Sequence, residues 1–225
     1  MVTIALISSA LLSGCFVAVP KMDLTVFRPV GRFFLLAGLL VFSGCAALFG
    51  WKIHAPGILS HDYYSHVVSS EGRVALYLPE EVLHYQSTNR GGALADPQTY
   101  FVGEAFTPMI IEGFQRAFQE FVLFETEPDA LLMRRYGVQR LAVVRIRTLK
   151  NRVTLKGQAV QLETETRVYN EALEPVAAFE SIGTSDAKKV FAKKGGPEIN
   201  LNFAIENNVT ALVQYIQDKG LAADR

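Results

Sequence analysis

The sequence predicts an α+β domain: an antiparallel sheet with two main helices packed on one face, preceded by an apolar leader and a tether. Two observations point to the helices and one to the sheet. Residues 108–122 and 203–219 each place apolar side chains at three-four spacing, the signature of a helix with one buried face. Residues 160–168 instead alternate apolar or threonine with charged or amide at period two, the signature of a strand with one wet face. Packing both helical stripes on one side of such a sheet hides all three apolar surfaces at once.

Composition sets the outer bounds. The chain has 225 residues, 50% of them hydrophobic, with 22 basic and 22 acidic residues and no formal net charge. It is too apolar for disorder, and its balanced charge does not favour nucleic acid as a partner. The hydrophobic excess lies at the front, and the chain beyond residue 44 is long enough to bury a core of its own.

The front contains two apolar runs, each ending in Ser-Gly-Cys: "LISSALLSGCFV" at Cys15 and "LLVFSGCAALFG" at Cys45. No cysteine follows Cys45, which excludes a disulfide framework, a thiolate metal site and thiol catalysis from the rest of the chain. From Met22, Arg28 and Arg32 supply a positive region, Phe33 to Phe42 an apolar one, and Ser43-Gly44 small residues at the cut. The stretch before Cys15 lacks a positive start, so translation is expected to begin at Met22. This pattern resembles a bacterial lipoprotein signal peptide, although Phe42 stands where that family prefers an aliphatic residue. The resemblance implies that Cys45 is lipidated and becomes the first mature residue. Ala46 follows it rather than Asp, which implies the outer membrane, periplasmic face, with the inner membrane as the alternative. A different reading makes the front one or two membrane helices without lipid. The division expected is 1–44 signal peptide, 45–70 lipidated N-terminus and tether, and 71–225 a single periplasmic domain.

Along the domain, "RVALYLP" (73–79) reads as a buried strand ended by proline, and "QSTNRGGALADPQ" as a surface loop. "FTPMIIEGFQRAFQEFVLF" (106–124) reads as the strongest helix, with Thr107 as N-cap and Pro108 at the first helical position. Its aromatic stripe, Phe114, Phe118 and Phe121, is expected to be core packing. "DALLMRRYG" reads as a short helix stopped by Gly137. Two strands come next with a turn at Lys150-Asn151, then the turn "NEALEP", the strand "VAAFESIGTSD" and the basic loop "KKVFAKKGGPEIN". The last helix presents Ile205, Val209, Leu212, Val213 and Ile216 on one face and stops at Gly220.

Motifs that carry chemistry are sparse. His54, His61 and His66 stand near Asp62, but their spacing matches no zinc pattern that sets two ligands on one helical turn, and no metal or cofactor is expected. There is no G-x-S-x-G elbow, P-loop or dinucleotide fingerprint. Glu80 and Glu81 are adjacent and are not expected to converge on one substrate bond. The chain is therefore read as non-enzymatic.

The most informative charge feature runs from Arg134 to Lys156, with eight basic residues and no acidic one. Glu163, Glu165, Glu171, Glu174 and Glu180 lie just beyond it. One reading is cross-strand pairing on the wet face. The other is a positive surface, with Arg145, Arg147, Arg152 and Lys156 as candidates for an acidic partner, an anionic lipid or a polysaccharide.

The lipidated start, the helix-sheet-helix order and the closing "NNVTALVQYIQ" helix resemble the small α/β periplasmic lipoproteins that assist export or assembly at the outer membrane. The resemblance implies a membrane-anchored, partner-binding role in an envelope assembly, export or transport complex. A lipid- or solute-binding auxiliary lipoprotein is the first alternative, to be marked by an enclosed apolar pocket between helices and sheet. An envelope enzyme is the second, to be marked by polar side chains converging in a cleft.

Overall fold

The computed structural model describes residues 50–90, 97–154, 157–185 and 196–222. Cys15, Cys45, the Met22 start and Lys156 lie outside the described residues. The strands are β1 (Trp51–Ile53), β2 (Ser70–Tyr77), β3 (Gln86–Arg90), β4 (Pro97–Phe101), β5 (Phe118–Phe124), β6 (Arg140–Thr154), β7 (Gly157–Tyr169) and β8 (Pro175–Thr184). The helices are α1 (His61–His66), α2 (Glu80–Leu83), α3 (Val102–Ala117), α4 (Ala130–Arg135) and α5 (Pro197–Asp218).

The fold is α+β, and its main sheet has the order β5-β2-β6-β7-β8. β6, β7 and β8 form an antiparallel meander, whereas β2 runs parallel to both β5 and β6, so the sheet is mixed rather than wholly antiparallel. The parallel pairs arise from connectivity. The chain leaves β2 and returns through α3 to β5, then through α4 to β6, and a return of that kind brings strands back in the same direction.

α3 and α5 pack against each other on one face, with α5 lying mainly on β7 and β8. Between helices and sheet lies a filled core that includes Phe106, Phe114, Leu76, Val144, Leu162 and Leu212, all excluded from water. Burying side chains of this size stabilises by about 1.5–3 kcal/mol each, which makes this layer the main apolar contribution to the fold. In β7, Val160, Leu162, Thr164, Thr166 and Val168 face this layer, as their period-two spacing predicts. The expected core role of the aromatic stripe also holds: Phe114 stacks obliquely on Phe118 and Phe121, with ring centres 5.3 and 6.0 Å apart.

Several boundaries differ from expectation. The helix predicted to run through Phe124 begins at Val102, carries Pro108 in its interior and stops at Ala117. Phe118 is already extended (φ −126°, ψ 138°), and residues 118–124 become β5, paired in register with β2. "FQEFVLF" meets helical spacing and strand composition equally, and the free edge of β2 decides between them. β6 does not turn at Lys150-Asn151 but continues to Thr154, pairing Lys150 with Gln161 and Asn151 with Val160. The predicted loop from Gln86 is largely a hairpin, with β3 antiparallel to β4 and β1 parallel to β4 in a second sheet of order β1-β4-β3.

Within the stretch 45–70 assigned to the tether, the reading is corrected for residues 53–67. Ile53, Leu59, Tyr63 and Val67 are buried in the main core, and Tyr63 donates its hydroxyl to the Gly113 carbonyl at 3.1 Å. Glu206 of α5 accepts from both the backbone N–H and the hydroxyl of Ser60 at 2.6 Å, holding the start of α1 against the helical layer. Apolar residues at irregular spacing read as tether because their partners are remote in sequence.

α4 forms as expected: the Asp129 carboxylate accepts from Leu132 N–H at 2.7 Å, and Gly137 ends the turn at φ +61°. α5 starts with Pro197 in its first turn and ends as predicted, with Gly220 at φ +61° and Leu221 N–H returning to the Ile216 carbonyl at 3.0 Å.

Candidate functional site: a groove on the open face of the sheet

Side chains alternate across a strand, so residues between the core positions of β6 and β7 face away from α3 and α5. They are Leu141, Val143 and Arg145 on β6, opposite Tyr169, Arg167 and Glu165 on β7. At the β2–β5 end, α4 covers this second face, where Met133 packs on Ala75, Phe124, Val138 and Leu141. From there toward β8 the face is open.

A groove of about 520 Å³ lies where the covered part meets the open part. Tyr77, Leu141, Val143 and Tyr169 give it an apolar floor. Its walls are Pro79–Glu81, entering α2, and Glu127-Pro128, entering α4, with Leu173 closing one side. The volume falls within the range of sites that hold a small ligand or an anchoring side chain.

Leu173 holds a left-handed backbone (φ 62°), which a residue other than glycine, asparagine or aspartate seldom adopts. Asn170 fixes it: its side-chain oxygen accepts from Ala172 N–H at 3.0 Å and Glu174 N–H at 2.9 Å, and its carbonyl accepts from Leu173 N–H at 3.0 Å. The turn thereby brings an apolar side chain back toward the groove and onto the smaller core.

Several charges in and beside the groove are paired. Arg145 meets Glu81 at 3.3 Å, Arg147 meets Glu165 at 3.1 Å and Glu180 at 3.4 Å, and Arg167 donates to Glu165 at 2.8 Å. Lys150 pairs with Glu163 further along. The hydrogen bond from Arg167 chiefly, with Arg147 and Arg145 nearby, holds the Glu165 carboxyl below the usual carboxylate range. Lys150 does the same for Glu163. The cross-strand reading of the charge run thus describes Arg147 and Lys150, whereas Arg145 pairs with Glu81 on α2.

Arg152 lies on the same face, seven positions beyond Arg145, or roughly 20 Å along the strand. The structure therefore gathers Arg145 and Arg147 and leaves Arg152 apart from them. Arg134 and Arg140 line a shallower depression between α4 and the β7–β8 turn. The histidines do not assemble either. His54 stacks on Phe101 at 4.2 Å and pairs with Glu104 at 2.8 Å, while His61 and His66 sit on α1. Among the described residues no His/Cys/Asp/Glu cluster could hold a metal ion, and no helix is long and apolar enough to cross a membrane.

Sequence patterns single out Arg145 and Arg147 but not the rest of the groove. Tyr77, Tyr169 and Leu173 carry no signal, because nothing local shows that α4 stops short of β7. Glu81 is noticeable only as half of an adjacent pair.

The fold and groove define an α+β domain with one sheet face covered by helices and the other partly open. No family model matches the chain, and no curated protein matches it. Solved structures similar to it include a hypothetical protein of Chlamydia trachomatis, at 9% identity and a TM-score of 0.41, covering 68% of this chain and 99% of that one. A lipoprotein of Neisseria meningitidis is similar at 5% identity and a TM-score of 0.31, covering 67% and 99%. A neuraminyllactose-binding hemagglutinin homolog of Helicobacter pylori is similar at 6% identity and a TM-score of 0.28, covering 68% and 87%.

Proposed function

We propose that this protein is a lipid-anchored, non-enzymatic lipoprotein of the bacterial envelope, fixed through Cys45 to the periplasmic face of the outer membrane. There it docks a segment of a partner protein in the open-face groove. The observation that carries the reading is the groove itself: an apolar floor framed by half-exposed ion pairs. Exposed pairs are worth about 0–1 kcal/mol each, so exchanging Arg145–Glu81 for contacts to a partner costs little. The apolar floor then supplies the favourable term, at about 25 cal/mol for each Å² it loses to water.

Binding suits this groove better than proton chemistry. Glu165, one of the four carboxylates that line it, is held ionised by Arg167, whereas a general acid or base works best with a pKa near the ambient pH. The space between helices and sheet, where a bound lipid or solute would be enclosed, is occupied by the side chains of the main core.

The test is site-specific photocrosslinking in a Gram-negative host, with the photoreactive residue at Val143, at Tyr169 and, as a control, at exposed Gln115. A discrete crosslinked species from both groove positions and none from the control is expected. Equal yields at all three positions would remove the groove from the proposal. Intact mass of the purified chain, as wild type and Cys45→Ala, tests the anchor separately.

A further inference from the structure

With β1 beginning at Trp51, the link from Cys45 to the domain is only Ala46 to Gly50. Fully extended, such a link reaches roughly 20 Å. The end of the domain that carries Trp51 is therefore held close to whatever fixes Cys45.

That end can be traced through contacts. Trp51 pairs with Gln98 across β1 and β4. The Gln98 side-chain oxygen accepts from Gln158 at 3.1 Å and Asn151 at 2.8 Å, at the far end of the β6–β7 hairpin. Asn200, in the first turn of α5, donates to the Gln158 carbonyl at 3.3 Å. Asn202 accepts from Gly57 N–H at 3.0 Å and donates to the Ile58 carbonyl at 2.7 Å. β1, the hairpin end and the 57–58 loop are thus tied to the start of α5 by two sets of polar contacts, one at Asn200 and one at Asn202.

The same segments carry large apolar side chains that stand in water. Trp51 is 61% exposed, Ile58 63%, Phe203 49% and Ile199 39%. Lys52 and Arg152 are exposed here too, and Glu198 and the His54–Glu104 pair are the acidic and titratable groups nearby. Tryptophan with aliphatic and phenyl neighbours, flanked by long cations, is the composition that settles at a lipid–water interface, where the indole and the cations keep their polar ends wet.

We propose that this end of the domain is a membrane-facing surface. Trp51, Ile58, Ile199 and Phe203 enter the boundary between headgroups and acyl chains, and Lys52 and Arg152 lie at the level of the lipid phosphates. The inference rests on the anchor at Cys45, because the short link is what selects a bilayer as the occupant. It also orients the molecule. Val143 lies eight residues back along β6 from Asn151, so the groove stands roughly 25 Å from the lipid-facing cluster, open to a partner.

The full chain is its own probe, since Trp51 is its single tryptophan. Purified protein is incorporated into phosphatidylethanolamine–phosphatidylglycerol vesicles, with and without phosphatidylcholine brominated in its acyl chains, and its intact mass is measured in parallel. At least a twofold loss of Trp51 emission in the brominated vesicles is expected. The double variant Ile199→Ser/Phe203→Ser should lose at least half of that quenching. A reporter moved by Trp51→Phe/Phe203→Trp should be quenched as well, which proximity to the anchor alone would not produce. An acylated mass with emission indifferent to bromine would overturn the membrane face and leave the anchor standing. A mass without acyl chains would remove the anchor, and the moved reporter then decides: quenching sustains the face, and none overturns it.

Discussion

Asn208 of α5 donates its side-chain amide to the Ser181 carbonyl of β8 at 2.9 Å, inside a layer from which both residues are almost wholly excluded from water. The same amide donates to the Leu162 carbonyl of β7 at 3.2 Å, and its oxygen accepts the Thr164 hydroxyl at 3.0 Å. One side chain thus satisfies polar groups of two strands beneath the helix that covers them. Asn208→Leu strands these partners in an apolar layer, at a cost of about 1–3 kcal/mol for each group left unmade. The variant should lose at least about 2 kcal/mol in urea unfolding. Asn207→Ala, which removes an exposed bond to the Thr184 carbonyl, should lose less than about 1 kcal/mol.

Gly183 faces the same helix from β8. A Cβ there would lie 2.0 Å from the Ala204 carbonyl oxygen and 2.3 Å from the Asn208 nitrogen, both backbone atoms that cannot swing aside. Gly183→Ala must push α5 off the sheet, and overpacking of this kind costs typically about 1–3 kcal/mol. In a domain of this size each kcal/mol lowers Tm by about 2–4 °C. A drop of several degrees is expected by differential scanning calorimetry, and an unchanged Tm would mean that the helix does not lie this close.

These two positions also mark the limit of what local sequence patterns reveal. The alternation from Val160 to Val168 and the stripe from Ile205 to Ile216 are local patterns, and each marks its buried face correctly. Asn208 sits on the buried face of α5, yet it reads as an ordinary polar residue, because its partners lie 27 to 46 residues away. β5 merges with the helix before it in the sequence pattern, because parallel pairing with β2 is a non-local choice. The early residues Ile53 to Val67 resemble a tether for the same reason. In the groove, the arginines are visible as a charge run, and the acidic residues beyond it suggest the cross-strand pairing of Arg147 but not the partner of Arg145, which lies on α2. The walls, supplied by the β2–α2, β5–α4 and β7–β8 connections, exist only once the sheet is assembled.

Burial governs the alkaline limit of stability. Tyr63 and Tyr100 have pKa values raised above the usual phenol value, chiefly by burial. For Tyr63, Tyr64, Glu112 and Glu206 add to the rise and Arg116 opposes it, and for Tyr100 the hydrogen bond from Gln158 opposes it. A raised folded pKa means that the native state holds the proton more tightly. The contribution is full below the unfolded value of about 10 and is lost as pH rises above it. Tyr63 and Tyr100 should therefore contribute to tyrosinate absorbance only as the domain unfolds. Tyr63→Phe and Tyr100→Phe should each shrink that late step. Smooth titration of every phenol near pH 10 would show these two to be accessible.

The groove charges separate docking from scaffolding. Arg145 and Glu81 are both more than half exposed, with side-chain exposures of 52% and 67%, so their pair is worth no more than about 1 kcal/mol. Arg145→Glu should thus lower Tm by at most about 4 °C. It should nevertheless reduce crosslinking from Val143 several-fold, because the groove then presents a negative charge where the partner meets a positive one. The double reversal Glu81→Arg/Arg145→Glu restores an attractive pair within the protein while leaving the charge at each position inverted toward a partner. If docking depends on the charges presented to the partner, stability recovers and crosslinking stays low. If crosslinking recovers together with stability, Arg145 and Glu81 serve only to hold α2 against β6, and the partner is recognised elsewhere.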